Sequence, residues 1–274
     1  MSASQVPLSW WGGPGRDENR LTILDLIRND TLDVDTAALL WLLIEAKKSI
    51  VVAAAPQLAG KTTLLTALID LVPPRYEKVY ARGRDEDFSW VSRTNPVNTY
   101  VLVPELSDHT PGYLWGDKLK RLFQELERGY SMGATIHADT PEQVLATLEG
   151  PPIFIHRELL ANLHVVVTLR LDGDRGEMSR RGEMTRRLEQ VSIQPPDRSP
   201  PLVTLASRDP RTDALRQSDS SDARAALSEL LRRRPGEVGA DLAHRAETFR
   251  EWLDRGLLGA AEFLELLALY NESA

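Results

Sequence analysis

One stretch of the chain, residues 49–71, limits the fold most: a short apolar run is followed by a turn and then by an apolar helix pattern. The β-branched and alanine residues 50–54 predict a buried strand, and Pro56 marks its end. The helix opens with the sequence GKTT, Gly60 to Thr63. A phosphate-binding loop requires this order of strand, loop and helix, because the start of a helix presents unpaired N–H groups to an anion.

The residues of this loop predict a nucleotide site. Lys61 is placed to reach the β- and γ-phosphates, and the Thr62 hydroxyl is placed to ligate Mg²⁺. ATP and Mg²⁺ are therefore the expected cofactors. The predicted cofactor-binding residues are Ala55, Leu58, Ala59, Gly60, Lys61, Thr62 and Thr63. The alternative interpretation is a GKTT sequence that only caps a helix.

The loop departs from the pattern G-x-x-x-x-G-K-[ST]. Ala55 stands at the position of the first glycine, and Leu58 lies in the loop interior. Glycine serves in such loops because the backbone turns tightly, in places with φ above zero. Ala55 is compatible with modest strain, whereas Leu58 is costly if its position requires a positive φ. The sequence thus predicts nucleotide binding and leaves hydrolysis open.

A second apolar run, Thr99 to Val103, predicts a strand that places Glu105 just beyond its end. Ligands of an open α/β sheet gather at the carboxyl ends of the strands. A glutamate at that edge can orient the attacking water or hold Mg²⁺ through water, so Glu105 is predicted as a catalytic and metal-binding residue. Asp108 is a weaker candidate for the same role. The alternative is a surface glutamate that follows an edge strand.

A third segment, Gly133 to Asp139 with sequence GATIHAD, predicts another strand that ends in polar side chains at the same edge. His137 is predicted as the second catalytic residue, which senses the γ-phosphate by hydrogen bonding and relays its presence to a neighbouring subunit. Because histidine also serves structural roles, a structural His137 is the alternative.

Strands that alternate with helices predict an α/β fold, a P-loop NTPase (RecA-like) sheet flanked by helices, with a small helical C-terminal region. We expect an irregular lead-in over residues 1–20, the ATPase domain over 21–200, a linker over 201–222 and the helical region over 223–274. The residues predicted to cap helix N-termini are Thr22, Asp33 or Asp35, and Thr140.

Composition excludes several classes of protein. The net charge of −7, from 33 basic and 40 acidic residues, argues against a nucleic-acid partner. The absence of cysteine excludes disulfides and thiolate metal sites. Residues 37–55 are apolar but contain Glu45, Lys47 and Lys48, which makes them too polar to span a bilayer. With no signal-peptide pattern, we expect a cytoplasmic protein that contacts the inner face of the membrane only peripherally.

Taken together, the three motifs resemble those of the secretion and pilus ATPase superfamily, the motors of type II and type IV secretion systems and type IV pili. The resemblance covers roughly residues 21–270 and is greatest to the archaeal-type branch, which includes archaellum motors. It is carried by the lead-in AALLWLLIEAKKSI (37–50), the TIHAD box (135–139) and the segment PPIFIHRELLANLHVVV (151–167).

The resemblance implies a motor subunit that couples ATP hydrolysis to assembly or export. It implies a homo- or hetero-hexamer that acts on a membrane platform protein, with Glu105 as the Walker B glutamate and His137 as the histidine-box residue. Glu86 and Asp87 are the candidates for the family's acidic box.

Several departures from the family keep a second interpretation open. Pro104 and Ser107 replace the usual glycine and arginine around Glu105, and no separate N-terminal domain is expected before residue 21. Arg186 and Arg187 are the candidates for cations that face a neighbouring subunit, and the alternative for them is a solvated charge cluster. The alternative function is therefore a catalytically degenerate paralogue that acts as a scaffold or regulator of an intact secretion ATPase.

Overall fold

A computed structural model describes residues 20–172, 185–195, 202–256 and 259–273. The predicted lead-in, apart from residue 20, lies outside the described residues. The helices are α1 (Ile23–Arg28), α2 (Val34–Glu45), α3 (Lys61–Asp70), α4 (Asp117–Glu127), α5 (Pro141–Glu149), α6 (Arg157–Leu160), α7 (Ser221–Leu231), α8 (Pro235–Asp254) and α9 (Ala260–Ser273). The strands are β1 (Ile50–Ala53), β2 (Glu77–Tyr80), β3 (Thr99–Val103), β4 (Ser131–Ile136), β5 (Val165–Asp172), β6 (Thr185–Ile193), β7 (Val203–Arg208) and β8 (Leu215–Gln217).

The eight strands form one sheet in the order β2-β3-β4-β1-β5-β6-β7-β8. The pairs from β2 through β5 are parallel, and those from β5 through β8 are antiparallel. The phosphate-loop strand β1 lies between β4 and β5, in the middle of the parallel part. The α/β fold predicted from the alternation of strands and helices is confirmed.

Helices cover both faces of the sheet, because successive side chains of a strand point to opposite sides. Ile50 and Val52 of β1 face a cluster formed with α1, α2, α3 and the C-terminal helices. Val51 and Ala53 face a second cluster formed with α4, α5 and α6. The short central strand is thereby fully buried, as is usual for parallel sheets.

Local signals fixed the start of several helices. Thr22 caps α1 in a reciprocal capping box with Asp25, Asp33 caps α2, and Thr140 caps α5 ahead of a proline at its first position. These N-cap predictions are confirmed, with Asp33 rather than Asp35 at the second helix. The side-chain oxygen at each cap accepts an N–H that the helix cannot satisfy itself.

The segment expected to be a linker, 201–222, instead contains β7 and β8, which extend the sheet. β7 pairs with β6 and the three-residue β8 pairs with β7, so pairing within the sheet stabilises these strands. The helices that follow pack into the same core as the sheet. Trp41 of α2 contacts Phe249 of α8 at a ring-centroid distance of 5.0 Å and Tyr270 of α9 at 4.7 Å.

His164, which precedes β5, gives this fold a testable pH dependence. Burial, together with the charges of Lys48 and Lys47, lowers the pKa of His164 to about 3, and its Nδ1 accepts the N–H of Ser49 at 3.1 Å. Between about pH 6.5 and pH 3 the unfolded chain takes up a proton that the folded chain refuses, so the stability falls as the pH falls.

We therefore expect His164→Asn, whose amide oxygen can still accept from Ser49, to flatten the acid limb of the stability curve. The change in slope should approach about 1.4 kcal/mol per pH unit, the value for one proton. Urea unfolding at pH 6, 5 and 4 measures it. Equal slopes for the two proteins would show that His164 titrates alike in the folded and unfolded chains.

Candidate functional site

Three strand ends meet at one edge of the sheet. Ala53, the last residue of β1, pairs with Ile136 of β4, and Val103, the last residue of β3, pairs with Ala134 two residues earlier. The loop 54–60, the Pro104-Glu105 dipeptide and His137 follow these ends directly. The parallel register therefore gathers the three predicted motifs at one place, although 32 residues or more separate each from the next along the chain.

The loop that follows β1 is held in an unusual backbone conformation. Leu58 has a φ of 64° and Gly60 a φ of 91°, both in the left-handed region, whereas the φ of Ala55 is not positive. The Leu58 side chain is 76% exposed. Gly60 precedes the first residue of α3 and has no side chain with which to cap it. The first N–H groups of that helix thus face the loop without a side-chain cap.

Lys61 lies inside the loop, and only 7% of it is exposed. Its Nζ donates to the carbonyl oxygen of Ala54 at 3.2 Å and lies 3.3 Å from Nδ1 of His137. Burial lowers the pKa of Lys61, and the negative charge of Glu105 opposes this effect. Lys61 is therefore a nearly buried cation held by neutral acceptors, a position in which an anion would be strongly favoured.

Glu105 is nearly buried and is oriented by two neighbours. Its Oε1 accepts a hydrogen bond from Oγ of Ser107 at 3.1 Å and lies 3.3 Å from Nε2 of His137. Thr135 of β4 donates to the carbonyl oxygen of Pro104 and so fixes the backbone just before the glutamate. Both contacts of the carboxylate are made by Oε1.

His137 connects the glutamate to the phosphate loop. Its Nδ1 lies 3.0 Å from the carbonyl oxygen of Ala55 and 3.3 Å from Nζ of Lys61. To donate to the carbonyl oxygen, Nδ1 must carry a proton, whereas to accept from Lys61 it must present a lone pair. Nδ1 can therefore make only one of these two hydrogen bonds at a time. The proton on His137 is therefore coupled to the position of Lys61.

The two threonines at the start of α3 differ in exposure, since Thr62 is exposed and Thr63 is half-buried. Mg²⁺ in nucleotide sites keeps several waters and takes one or two protein oxygens together with phosphate oxygens. The Thr62 hydroxyl and the Glu105 carboxylate are oxygen donors of this kind. The donor set therefore fits Mg²⁺ bound together with nucleotide.

The two acidic-box candidates, Glu86 and Asp87, contact their own segment of the chain. Glu86 is 3% exposed, and its carboxylate accepts N–H groups from Arg82, Phe88 and Trp90 at 2.7, 2.6 and 3.0 Å. These contacts identify Glu86 as the anchor of the turn between β2 and β3. Asp87 is exposed and pairs with Arg82, which lowers the pKa of Asp87.

Arg186 and Arg187, the candidate subunit-facing cations, both make contacts within their own chain. Nε of Arg186 donates to the carbonyl oxygen of Leu58 at 2.8 Å. Arg187 contacts the carbonyl oxygen of Asn29 at 3.1 Å and the carboxylate of Asp213 at 3.4 Å. The sequence did not predict that Arg186 contacts the loop, because only the pairing of strands in the sheet brings β6 close to it.

Two uncharacterized proteins of Methanocaldococcus jannaschii are similar in sequence. One is 32% identical over 160 residues, which cover 52% of this chain and 59% of that protein. The other is 26% identical over 182 residues, which cover 59% of this chain and 32% of that protein. The chain thus spans less than two thirds of either relative. No protein-family model matches the chain.

Three solved structures are similar to this one. The VirB11 ATPase of the Brucella suis type IV secretion system is 18% identical, with a TM-score of 0.43 and coverage of 65% of this chain and 66% of that chain. The Legionella pneumophila ATPase DotB has 12% identity, a TM-score of 0.37 and coverage of 76% and 55%. The pilus retraction motor PilT has 12% identity, a TM-score of 0.36 and coverage of 82% and 63%.

Among the described residues, no helix has the length and apolar character needed to cross a bilayer.

The positive φ of Leu58 leads to a prediction about stability. A non-glycine residue in the left-handed region costs about 1–2 kcal/mol, and glycine there costs about 0.5–1 kcal/mol in unfolded-state entropy. Because the leucine side chain is mostly exposed, its removal sacrifices little burial. We expect Leu58→Gly to raise the free energy of unfolding by up to about 1 kcal/mol.

Ala55→Gly is the matched control, because the φ of Ala55 is not positive and glycine there adds only entropy to the unfolded chain. We expect this variant to be slightly less stable than the wild type. Chemical denaturation of the three proteins measures the differences. If both glycine variants lose stability equally, Leu58 is not strained.

Proposed function

We propose that this chain binds Mg–ATP at the loop between β1 and α3 and hydrolyses it. One observation carries the proposal: His137 lies within hydrogen-bond distance of both Lys61 and Glu105, so that side chains from three separate segments meet where the loop enters α3. A nearly buried lysine, a carboxylate and an uncapped helix start are the groups that phosphoryl transfer needs.

The proposed mechanism follows from these contacts. Lys61 exchanges the carbonyl oxygen of Ala54 for phosphate oxygens, because a charge-assisted hydrogen bond is stronger than a neutral one. Glu105 then orients water toward the γ-phosphate and accepts its proton, while Ser107 holds Oε1. When Mg²⁺ is bound, it would neutralise the negative charge that develops on the phosphates.

The biological setting that we propose is a secretion or type IV pilus-like machine, in which hydrolysis drives assembly or export. The resemblance of the loop, the TIHAD box (135–139) and the lead-in (37–50) to secretion and pilus ATPases supports it. In this setting the chain forms a homo- or hetero-hexamer at the cytoplasmic face of a membrane and acts on a membrane platform protein. No nucleic-acid partner enters the proposal.

A second candidate, a scaffold or regulator without hydrolysis, is favoured by the loop itself. Leu58 occupies a left-handed position that glycine would occupy without strain, and the resting loop engages Lys61 through its own carbonyl group. Such a subunit would bind nucleotide weakly and would regulate an intact motor. Turnover separates this candidate from the first.

Nucleotide binding and catalysis can be tested by two substitutions. Lys61→Ala should abolish Mg–ATP binding in calorimetry, because the phosphates lose the only lysine of the loop. Glu105→Gln should keep binding but lower turnover by about a hundredfold or more, the usual effect of losing a general base. The absence of heat from wild-type protein at millimolar nucleotide would eliminate the ATPase and favour the scaffold.

Asp108→Asn is the matched control for the glutamate substitution, since Asp108 is an exposed carboxylate three residues farther along the chain. We expect its turnover to equal that of the wild type. Loss of turnover in Asp108→Asn but not in Glu105→Gln would transfer the role of base to Asp108.

Assembly provides an independent test of the proposed setting. If sites are completed between subunits, as the resemblance implies, nucleotide should stabilise the ring. We expect light scattering to detect monomers or small oligomers of the isolated chain. We expect hexamers after the addition of Mg–ATP or of an intact secretion ATPase with which the chain assembles. A stable hexamer without either addition would show that assembly does not depend on the nucleotide.

A further inference from the structure

Arg186 extends from β6 across the loop that we propose binds nucleotide. Its Nε donates to the carbonyl oxygen of Leu58 at 2.8 Å. Its Cδ would lie 3.0 Å from a β-carbon placed on Gly60. The side chain therefore covers the second half of the loop, immediately before Lys61.

The fold places this arginine firmly. Arg186 pairs with Leu171 in the antiparallel ladder between β5 and β6. This pairing fixes the backbone position of Arg186 relative to the loop. The next residue, Arg187, contacts the carbonyl oxygen of Asn29 and the carboxylate of Asp213 instead of the loop.

The loop contact engages one of the five N–H donors of the guanidinium, and the planar fork of donors suits a phosphate group. A bound nucleoside triphosphate brings more negative charge to this loop than Lys61 alone can neutralise. A neutral carbonyl acceptor is also weaker than a phosphate oxygen. The position, donor set and charge of Arg186 thus all suit the terminal phosphates of a nucleotide.

We propose that Arg186 binds the terminal phosphate of the nucleotide held by its own chain. This inference rests on the proposed function and adds to it a phosphate-binding residue that acts in cis. Gly60 contributes to this arrangement in two ways: glycine accepts a φ of 91°, and the lack of a side chain lets Arg186 pass over the loop.

The test compares affinities for Mg–ADP and for a non-hydrolysable ATP analogue by calorimetry. We expect Arg186→Gln to weaken binding of the triphosphate analogue by about tenfold to a hundredfold, and binding of ADP by clearly less. Arg186→Lys should restore part of the loss because it restores the charge without the fork. The matched control, Arg187→Gln, should bind both nucleotides within about threefold of the wild type.

Three outcomes would overturn the inference. Wild-type affinity in Arg186→Gln would show that the arginine does not touch phosphate. Equal weakening of both nucleotides would show that it only holds the loop at Leu58. Equal weakening by Arg187→Gln would show a general effect on the strand.

A mixing experiment tests whether Arg186 acts in cis. Chains with Lys61→Ala, which keep Arg186 but cannot bind nucleotide, are mixed with chains carrying Arg186→Gln. We expect affinity for the triphosphate analogue to stay low. Recovery would show that the arginine acts on a neighbour. If the wild type binds neither nucleotide, both the proposed function and this inference fail. If the wild type binds nucleotide and the Arg186 variants bind it with the same affinity, only this inference fails.

Discussion

The parallel ladder between β1 and β4 is the interaction on which the rest of the site depends. It pairs Ala53 with Ile136, so the phosphate loop and His137 begin at the same level of the sheet. Because side chains alternate along a strand, a shift of one residue would send the histidine to the opposite face. The ladder between β3 and β4 adds Glu105 to the same edge. The geometry of the candidate site is therefore a consequence of strand register.

Three side chains from different elements contact the carbonyl groups of the loop 54–60. Lys61 contacts Ala54, His137 contacts Ala55 and Arg186 contacts Leu58. The contact with Ala54 keeps the nearly buried ammonium of Lys61 hydrogen-bonded, which avoids the large penalty of an unpaired buried charge. An anion would replace weak neutral acceptors with charged ones, so the same donors can hold the loop at rest and bind phosphate.

The coupling between the loop and its surroundings extends through the sheet. Arg186 and Arg187 are consecutive, and the first contacts the phosphate loop while the second contacts the end of α1 and the turn between β7 and β8. These contacts depend on the antiparallel strands β6, β7 and β8. Of these, β7 and β8 lie in the segment that was expected to be a linker.

The sequence by itself determined the local features. The strand, loop and helix around Lys61, the N-caps at Thr22, Asp33 and Thr140, and the α/β class all follow from short-range patterns, because hydrophobic period, caps and turn residues act within a few positions. Glu105 and His137 were also recognisable, since each follows an apolar strand.

Only the tertiary structure decided which groups touch. It made Glu86 a turn anchor, because three N–H groups converge on its carboxylate. It brought Arg186 onto Leu58 across 128 positions of the chain, and it turned part of the expected linker into β7 and the edge strand β8. The contacts of Glu86 lie within four residues along the chain, but they depend on the exact conformation of the turn. The other two outcomes depend on strand order and register, which are set by long-range pairing and the burial of both sheet faces.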